Sequence, residues 1–375
     1  MLWPGDAAQR VSQADLQRPG RRTQRSPDAL SLPQCGREQY AADAEIACGR
    51  HGVTRPLAKR VCQLATVEHY TQLDELLFDQ HGVRLSRDEM MQIVHDVGGA
   101  ADRWRRAEYE AWREAPRKTW PEPEFRLARI YVSCDGIYYC TNQREPDPQR
   151  PGENRLVWQE MKVGCVAWQD EHGRWRKQVI WGRESPQDFG QALFLLACRC
   201  GYRQAQEKIF AADGADWCWT IHEQYFVDAC GILDWYHASQ HVWKAARVLG
   251  TDPTTVSAWA DAALERLATG GGRSLVPWLR EQRSSCRGKR RAAVDDLLRY
   301  LEPRQSLMDY PDYRAQGWKI GTGLMESTVK QLVAVRLKGP GMHWSEHGAV
   351  AVTALRAQRI NSHWHQFWSK LVIAA

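Results

Sequence analysis

The sequence predicts an α/β protein, on three observations. Between Leu127 and Trp181, apolar residues recur with strand periodicity in three consecutive segments. From Pro186 to Leu233 the pattern changes to helix, strand, helix, strand, and from Trp235 to about Ala315 every segment reads as helix. A three-strand meander followed by that alternation is the order of a ribonuclease H-like core. The all-helical stretch is then an insertion, and a helical region resembling a helix-turn-helix precedes the core.

Residues 1–50 are rich in Pro, Arg, Gln and Ser with little periodicity, and read as a disordered or truncated segment. Leu57, Val61, Leu64 and Ala65 share a helical face, and Tyr70 to Phe78 form a second short helix. Ser86 can cap a third, with Met90, Ile93, Val94 and Val97 on its face. This gives a region, 55–118, with the layout of a helix-turn-helix that contacts DNA, closed by a charged helix from about Ala100 to Arg117 and a boundary at Pro121 and Pro123.

The first core part, 124–234, opens with a strand from Leu127 to Cys134 that stops at Asp135-Gly136, followed by a polar loop to Asn154. Strands at 156–168 and 175–181 are joined by the turn Asp170-Glu171-His172-Gly173. Lys208 to Ala212 makes a short buried strand ending at Asp213-Gly214, and Ala229 to Leu233 another ending at Asp234. The insertion, 235–317, is broken at Thr251-Asp252-Pro253, Gly270-Gly271-Gly272 and Glu302-Pro303. The last part, 318–375, starts with Gly321-Thr322-Gly323, where Thr322 is positioned to cap a helix whose apolar face is Met325, Val329, Leu332 and Val335.

Net charge is +6, concentrated in two places: Arg280 to Arg291, and the segment after Ser327, where Lys330, Arg336, Lys338, Arg356, Arg359 and Lys370 stand against the single acid Glu346. Basic stripes suit a polyanion, although they also suit a solvated face. The 18 tryptophans, several beside charged residues, belong mostly in the core; indoles beside arginines also stack on bases. Eleven cysteines without a CxxC pair argue against a disulfide framework and a zinc ribbon. No apolar run reaches the length of a membrane span, so the expectation is a cytoplasmic, nucleoid-associated protein with no membrane partner.

Asp135 and Asp213 each follow an apolar strand, where an open sheet presents functional groups. Asp-Gly is also a common turn pair. Glu326 lies near a helix N-terminus and is either a third acid or the i,i+4 partner of Lys330. Three carboxylates are the hard oxygen set that two Mg²⁺ ions require, with Mn²⁺ able to substitute. Asp216 is the rival of Asp213 for the second position. Asp234 and His237 form either a hydrogen bond at a strand-to-helix junction, with His237 structural or positioning DNA, or part of a metal site with His241. Lys330, Arg336, Lys338, His343 and Trp344 are expected along the DNA path.

VSCDG (132–136), ADGADW (212–217), ILDWYHASQHVW (232–243), and IGTGLMES (320–327) with its KGPGMHW tail together resemble the DDE transposases of bacterial insertion sequences. The match is with the ISKra family and more distantly with the Mutator-like group, over residues 55 to 370. The resemblance implies that Asp135, Asp213 and Glu326 are the catalytic and metal-binding triad, and that Asp234-Trp235-Tyr236-His237 is the signature after the second acid. It also implies a ribonuclease H-like fold with a helical insertion, Mg²⁺-dependent strand cleavage and strand transfer, and binding to terminal inverted repeats and target DNA as a homo-oligomer. Two alternatives stay open: a ribonuclease H-like nuclease without strand transfer, and a catalytically dead DNA-binding remnant acting as a repressor.

Overall fold

The computed structural model describes residues 29–31, 38–40, 53–116, 123 and 126–371. The chain divides into two compact units, Met1–Arg55 and Pro56–Ala374. In the first, Ala29–Ser31 pairs antiparallel with Glu38–Tyr40; the rest of the 1–50 segment, and the boundary expected at Pro121, lie outside the described residues. The four parts expected from residue 55 onward fall within the second unit, Pro56–Ala374.

The unit is built on a mixed five-stranded sheet: β1 (Arg129–Pro146), β2 (Asn154–Gln169), β3 (Trp175–Gly182), β4 (Glu207–Ala212) and β5 (Cys230–Leu233). Their spatial order is β3-β2-β1-β4-β5, with the first three antiparallel and β4 and β5 parallel to β1. The strand and helix order read from the sequence is therefore present. One strand differs in length. β1 continues past Asp135-Gly136 to Pro146, paired with β2 through Cys140↔Trp158 and again from Arg144↔Leu156. The pair that read as a turn is absorbed mid-strand, because Tyr139 and Thr141 beyond it are buried and hold the chain extended.

Helices α1 (Arg55–Ala65), α2 (Tyr70–His81) and α3 (Arg87–Glu114) precede the sheet. Ser86 caps α3 in a reciprocal box with Glu89, as expected. The two helices foreseen at 86–97 and 100–117 are one helix of 28 residues. Its middle is buried against α12 (Glu346–Ile360), where a Cβ on Gly98 would lie 2.6 Å from the Ala351 Cα. α3 is thus a core helix, unlike the short third helix of a helix-turn-helix.

α4 (Pro186–Arg199) and α5 (Asp216–Tyr225) follow β3 and β4. After β5 come α6 (Trp235–Leu249), α7 (Pro253–Ser285), α8 (Gly288–Leu301) and α9 (Tyr310–Ala315). The glycine triplet interrupts α7 as expected, dividing it into two helical stretches: Gly271 takes the non-helical φ 62°, and the Gly272 amide donates to the Met308 carbonyl at 3.1 Å. α10 (Gly323–Val329) runs into a π turn at Lys330–Ala334, then α11 (Val335–Leu337), with α12 and α13 (Trp364–Lys370) last. The wide turn rotates the helix face, so Val333, Arg336 and Leu337 are buried while Val335 is 52% exposed. Val335 had been expected on the apolar face. No helix of the described residues is long and apolar enough to cross a membrane.

Candidate active site

The β1–β4 ladder ends at Ser133↔Ala211. Two residues past that pair come Asp135, still within β1, and Asp213, just beyond the end of β4, near enough for its charge to act on the Asp135 carboxyl. Burial pushes the Asp135 carboxyl up to about 6, and the neighbouring Asp213 charge adds to it. Asp135 Oδ1 accepts from the Gly136 amide at 2.7 Å, and Asp213 Oδ1 accepts from the Ala215 amide at 2.9 Å. The arrangement places two carboxylates near one another where the parallel pairing stops.

Asp216, the rival second acid, opens α5 with its side chain 95% exposed and paired with Arg304. Arg304 also donates to the Gly214 carbonyl at 2.7 Å. Its role is to anchor the loop after Asp213 to the segment that follows α8.

Glu326 is carried by α10, which covers the sheet face from which Asp135 projects: Thr328 Oγ1 lies 3.5 Å from Cys165 Sγ, and Cys165 pairs with Ser133. Glu326 is exposed and is not ion-paired with Lys330, also exposed. Among the described residues no three His, Cys, Asp or Glu side chains converge closely enough to hold a metal ion. The third acid is therefore carried over the sheet face of Asp135 without closing on the other two.

Asp234 is fully buried at the end of β5. Its Oδ1 accepts from the His237 amide at 2.7 Å, capping α6, and lies 3.1 Å from His237 Nδ1. Its Oδ2 accepts from the Thr322 hydroxyl at 2.7 Å and from the Thr322 amide. Thr322 thus spends its hydroxyl on Asp234 and makes no side-chain cap on α10, contrary to expectation. These bonds hold the Asp234 carboxyl below the usual range, and the bond from Asp234 raises His237, which also feels Asp213 and Asp135. His241, the partner of His237 in the metal alternative, stacks on Tyr300 with ring centroids 3.6 Å apart.

Of the residues expected along a DNA path, Lys330, Lys338 and His343 are exposed. Arg336 and Trp344 are buried, at 2% and 7% exposure, with the guanidinium 4.8 Å from the indole ring. Arg336 Nε donates to the Ala65 carbonyl at 2.9 Å, Arg356 to Thr66 and Leu332, and Arg359 to the Thr66 hydroxyl. Half of the basic stripe is therefore committed to the C-terminal end of α1, where cations offset the helix dipole.

Tyr300, Glu160 and Lys162 lie beside the acids without having been singled out. A Cβ on Gly214 would collide with the Tyr300 ring, and the Asp213 charge contributes to keeping the phenol neutral. Glu160 overlies Gly136 and pairs with the buried Lys162 at 3.3 Å. The available signal was two charges interrupting the apolar run of β2.

No family model matches the chain, and no curated protein matches it. Among solved structures, the Drosophila P element transposase in its strand transfer complex superposes with a TM-score of 0.37 at 9% identity, covering 83% of this chain and 93% of that one.

Proposed function

We propose that the chain is a DNA transposase of the DDE type, with Asp135, Asp213 and Glu326 as its acids on a ribonuclease H-like sheet. The reading is carried by one observation: Asp135 and Asp213 each lie two residues past the last parallel β1–β4 pair, and the Asp213 charge bears on the Asp135 carboxyl. The motifs around the three acids, which resemble those of bacterial insertion-sequence transposases, support it further.

The donor set fits a divalent cation. Two carboxylates sit near one another, and burial with mutual repulsion already opposes ionisation of Asp135. Asp135 and Asp213 would hold Mg²⁺, with Glu326 joining from α10 when DNA fills the face between them. When bound, two Mg²⁺ ions supply Lewis acidity to the attacking and leaving oxygens of a phosphodiester. The protein's own groups fix the geometry. The Gly136 and Ala215 amides orient the two carboxylates, and Asp234 aims His237 toward them. His237, with its raised affinity for a proton, offers a donor to a phosphate oxygen. Lys330, Lys338 and His343 offer exposed positive or donor groups to the backbone.

In cleavage, a water oxygen forms a bond to phosphorus at the element end as the P–O3′ bond breaks, leaving a 5′-phosphate and a protonated 3′-hydroxyl. Strand transfer forms a new P–O bond from that hydroxyl as a target P–O bond breaks. Terminal inverted repeats and target duplex are the substrates, and pairing of two ends requires more than one copy. The test is cleavage and joining of an end-bearing duplex with Mg²⁺ or Mn²⁺. Asp135→Ala is expected to abolish both steps with the fold intact; full activity in that variant would reject the assignment, and cleavage without joined products would reduce it to a nuclease.

A further inference from the structure

Three buried hydrogen-bonding groups without a protein partner meet well away from the acids. They are Arg336 Nη2, the Tyr70 hydroxyl and Trp344 Nε1. Leaving such a group unpaired costs about 1–3 kcal/mol, so three together need a reason. The Arg336 guanidinium lies between the two rings, 5.2 Å from Tyr70 and 4.8 Å from Trp344. All three residues line one cleft of about 440 Å³, between the starts of α2 and α3 and the loop leading to Ser345. Arg87, His95 and His343 complete its wall, and no carboxylate lines it. Glu68 is the acid that Arg336 feels most, and it is not part of the lining.

We propose that this cleft is a second anion site that takes a phosphate group. Guanidinium and indole nitrogens only donate, and the phenol can donate as well. Donors approaching from several directions suit a tetrahedral oxyanion, and two arginines supply the charge.

The source of the phosphate follows from where Trp344 is tied. Its amide donates to the Cys140 carbonyl at 3.1 Å, and its carbonyl accepts from the Asn142 amide at 2.9 Å, bridging it to Thr141 of β1. Thr141 is six residues beyond Asp135 on the same strand, about 20 Å at the rise of an extended chain. That is about six base-pair steps of B-DNA. On the reading proposed above, the cleft grips a backbone phosphate about six base pairs from the one presented to the acids.

Two measurements on the full chain test this. The first is the rise in melting temperature caused by inorganic phosphate, relative to chloride at equal ionic strength. The second is the affinity for a labelled duplex without divalent cations. Tyr70→Phe removes one hydroxyl and Arg87→Ala one exposed charge, so both variants spare the packing that Arg336→Gln would disturb. Each is expected to lose at least half of the phosphate-induced rise and to bind duplex at least five-fold more weakly, with unchanged circular dichroism. Loss of the phosphate effect with unchanged duplex affinity supports a phosphate site but assigns it to a small phosphorylated molecule, overturning the DNA source. Variants that match the wild type in both measurements overturn the site. A wild type that responds to phosphate but never binds duplex leaves the site standing and removes the proposed function.

Discussion

Asp135 and Asp213 each stand two residues past the Ser133↔Ala211 pair, and burial together with the Asp213 charge opposes ionisation of Asp135. Asp135 is raised to about 6, so between the unfolded value and 6 the folded chain binds the extra proton. Stability is therefore lost as pH rises through that window, and the cost persists above it. A displacement of this size corresponds to about 3 kcal/mol at most, and partial exposure reduces it to about 1–2 kcal/mol. Asp135→Asn should be more stable than the wild type at pH 8 and nearly equal at pH 4, by urea unfolding. Millimolar Mg²⁺ should raise the melting temperature of the wild type more than that of the variant.

The two candidates for the second acid predict different activities. If Asp213 holds the catalytic cation as proposed, Asp213→Ala should lower cleavage by at least about 10²-fold. Asp216→Ala should retain more than half, since Asp216 only pairs with Arg304. Single-turnover cleavage of an end-bearing duplex separates the two, and a reversed order would move the second acid to Asp216.

Asp234→Ala removes a fully buried carboxylate that holds both His237 and Thr322, and should cost about 3–5 kcal/mol. Thr322→Val keeps the backbone bond and should cost about 1 kcal/mol. Because His237 is raised, its contribution is full below the unfolded imidazole value and fades as pH climbs through the folded one. His237→Ala should therefore destabilise more at pH 6 than at pH 9, read from denaturant midpoints at the two pH values.

Gly98→Ala tests the contact between α3 and α12. Alanine favours a helix over glycine by about 1 kcal/mol. Here its Cβ would meet the Ala351 backbone, so a net loss of about 1–3 kcal/mol is expected. A melting temperature at or above that of the wild type would show that the two helices separate easily.

The five strands were legible because their apolar spacing is regular and their ends carry turn residues. Asp135-Gly136 misled, since a turn pair and a mid-strand pair look alike until Tyr139 and Thr141 are seen to be buried. The nearness of Asp135 to Asp213 was readable from the apolar segments that precede them. Tyr300 was not, because it reaches the site only through the close approach to Gly214, a contact far apart in the chain. Arg336 read as surface because charged residues usually are. The π turn and the orphaned carbonyl of Ala65 bring it inside, and neither has a mark in composition.

The Asp234 carboxylate receives Thr322 from 88 residues further along the chain, and the Trp235 amide donates to the Ile320 carbonyl at 3.0 Å. Everything between leaves and returns through one clasp. The cost of closing a loop grows only slowly with its length, so the clasp sets the geometry at the sheet whatever the size of the segment it closes. The helical segment is nonetheless fitted to the sheet it leaves, because Arg304 donates to the Gly214 carbonyl and the Tyr310 hydroxyl to the Leu233 carbonyl.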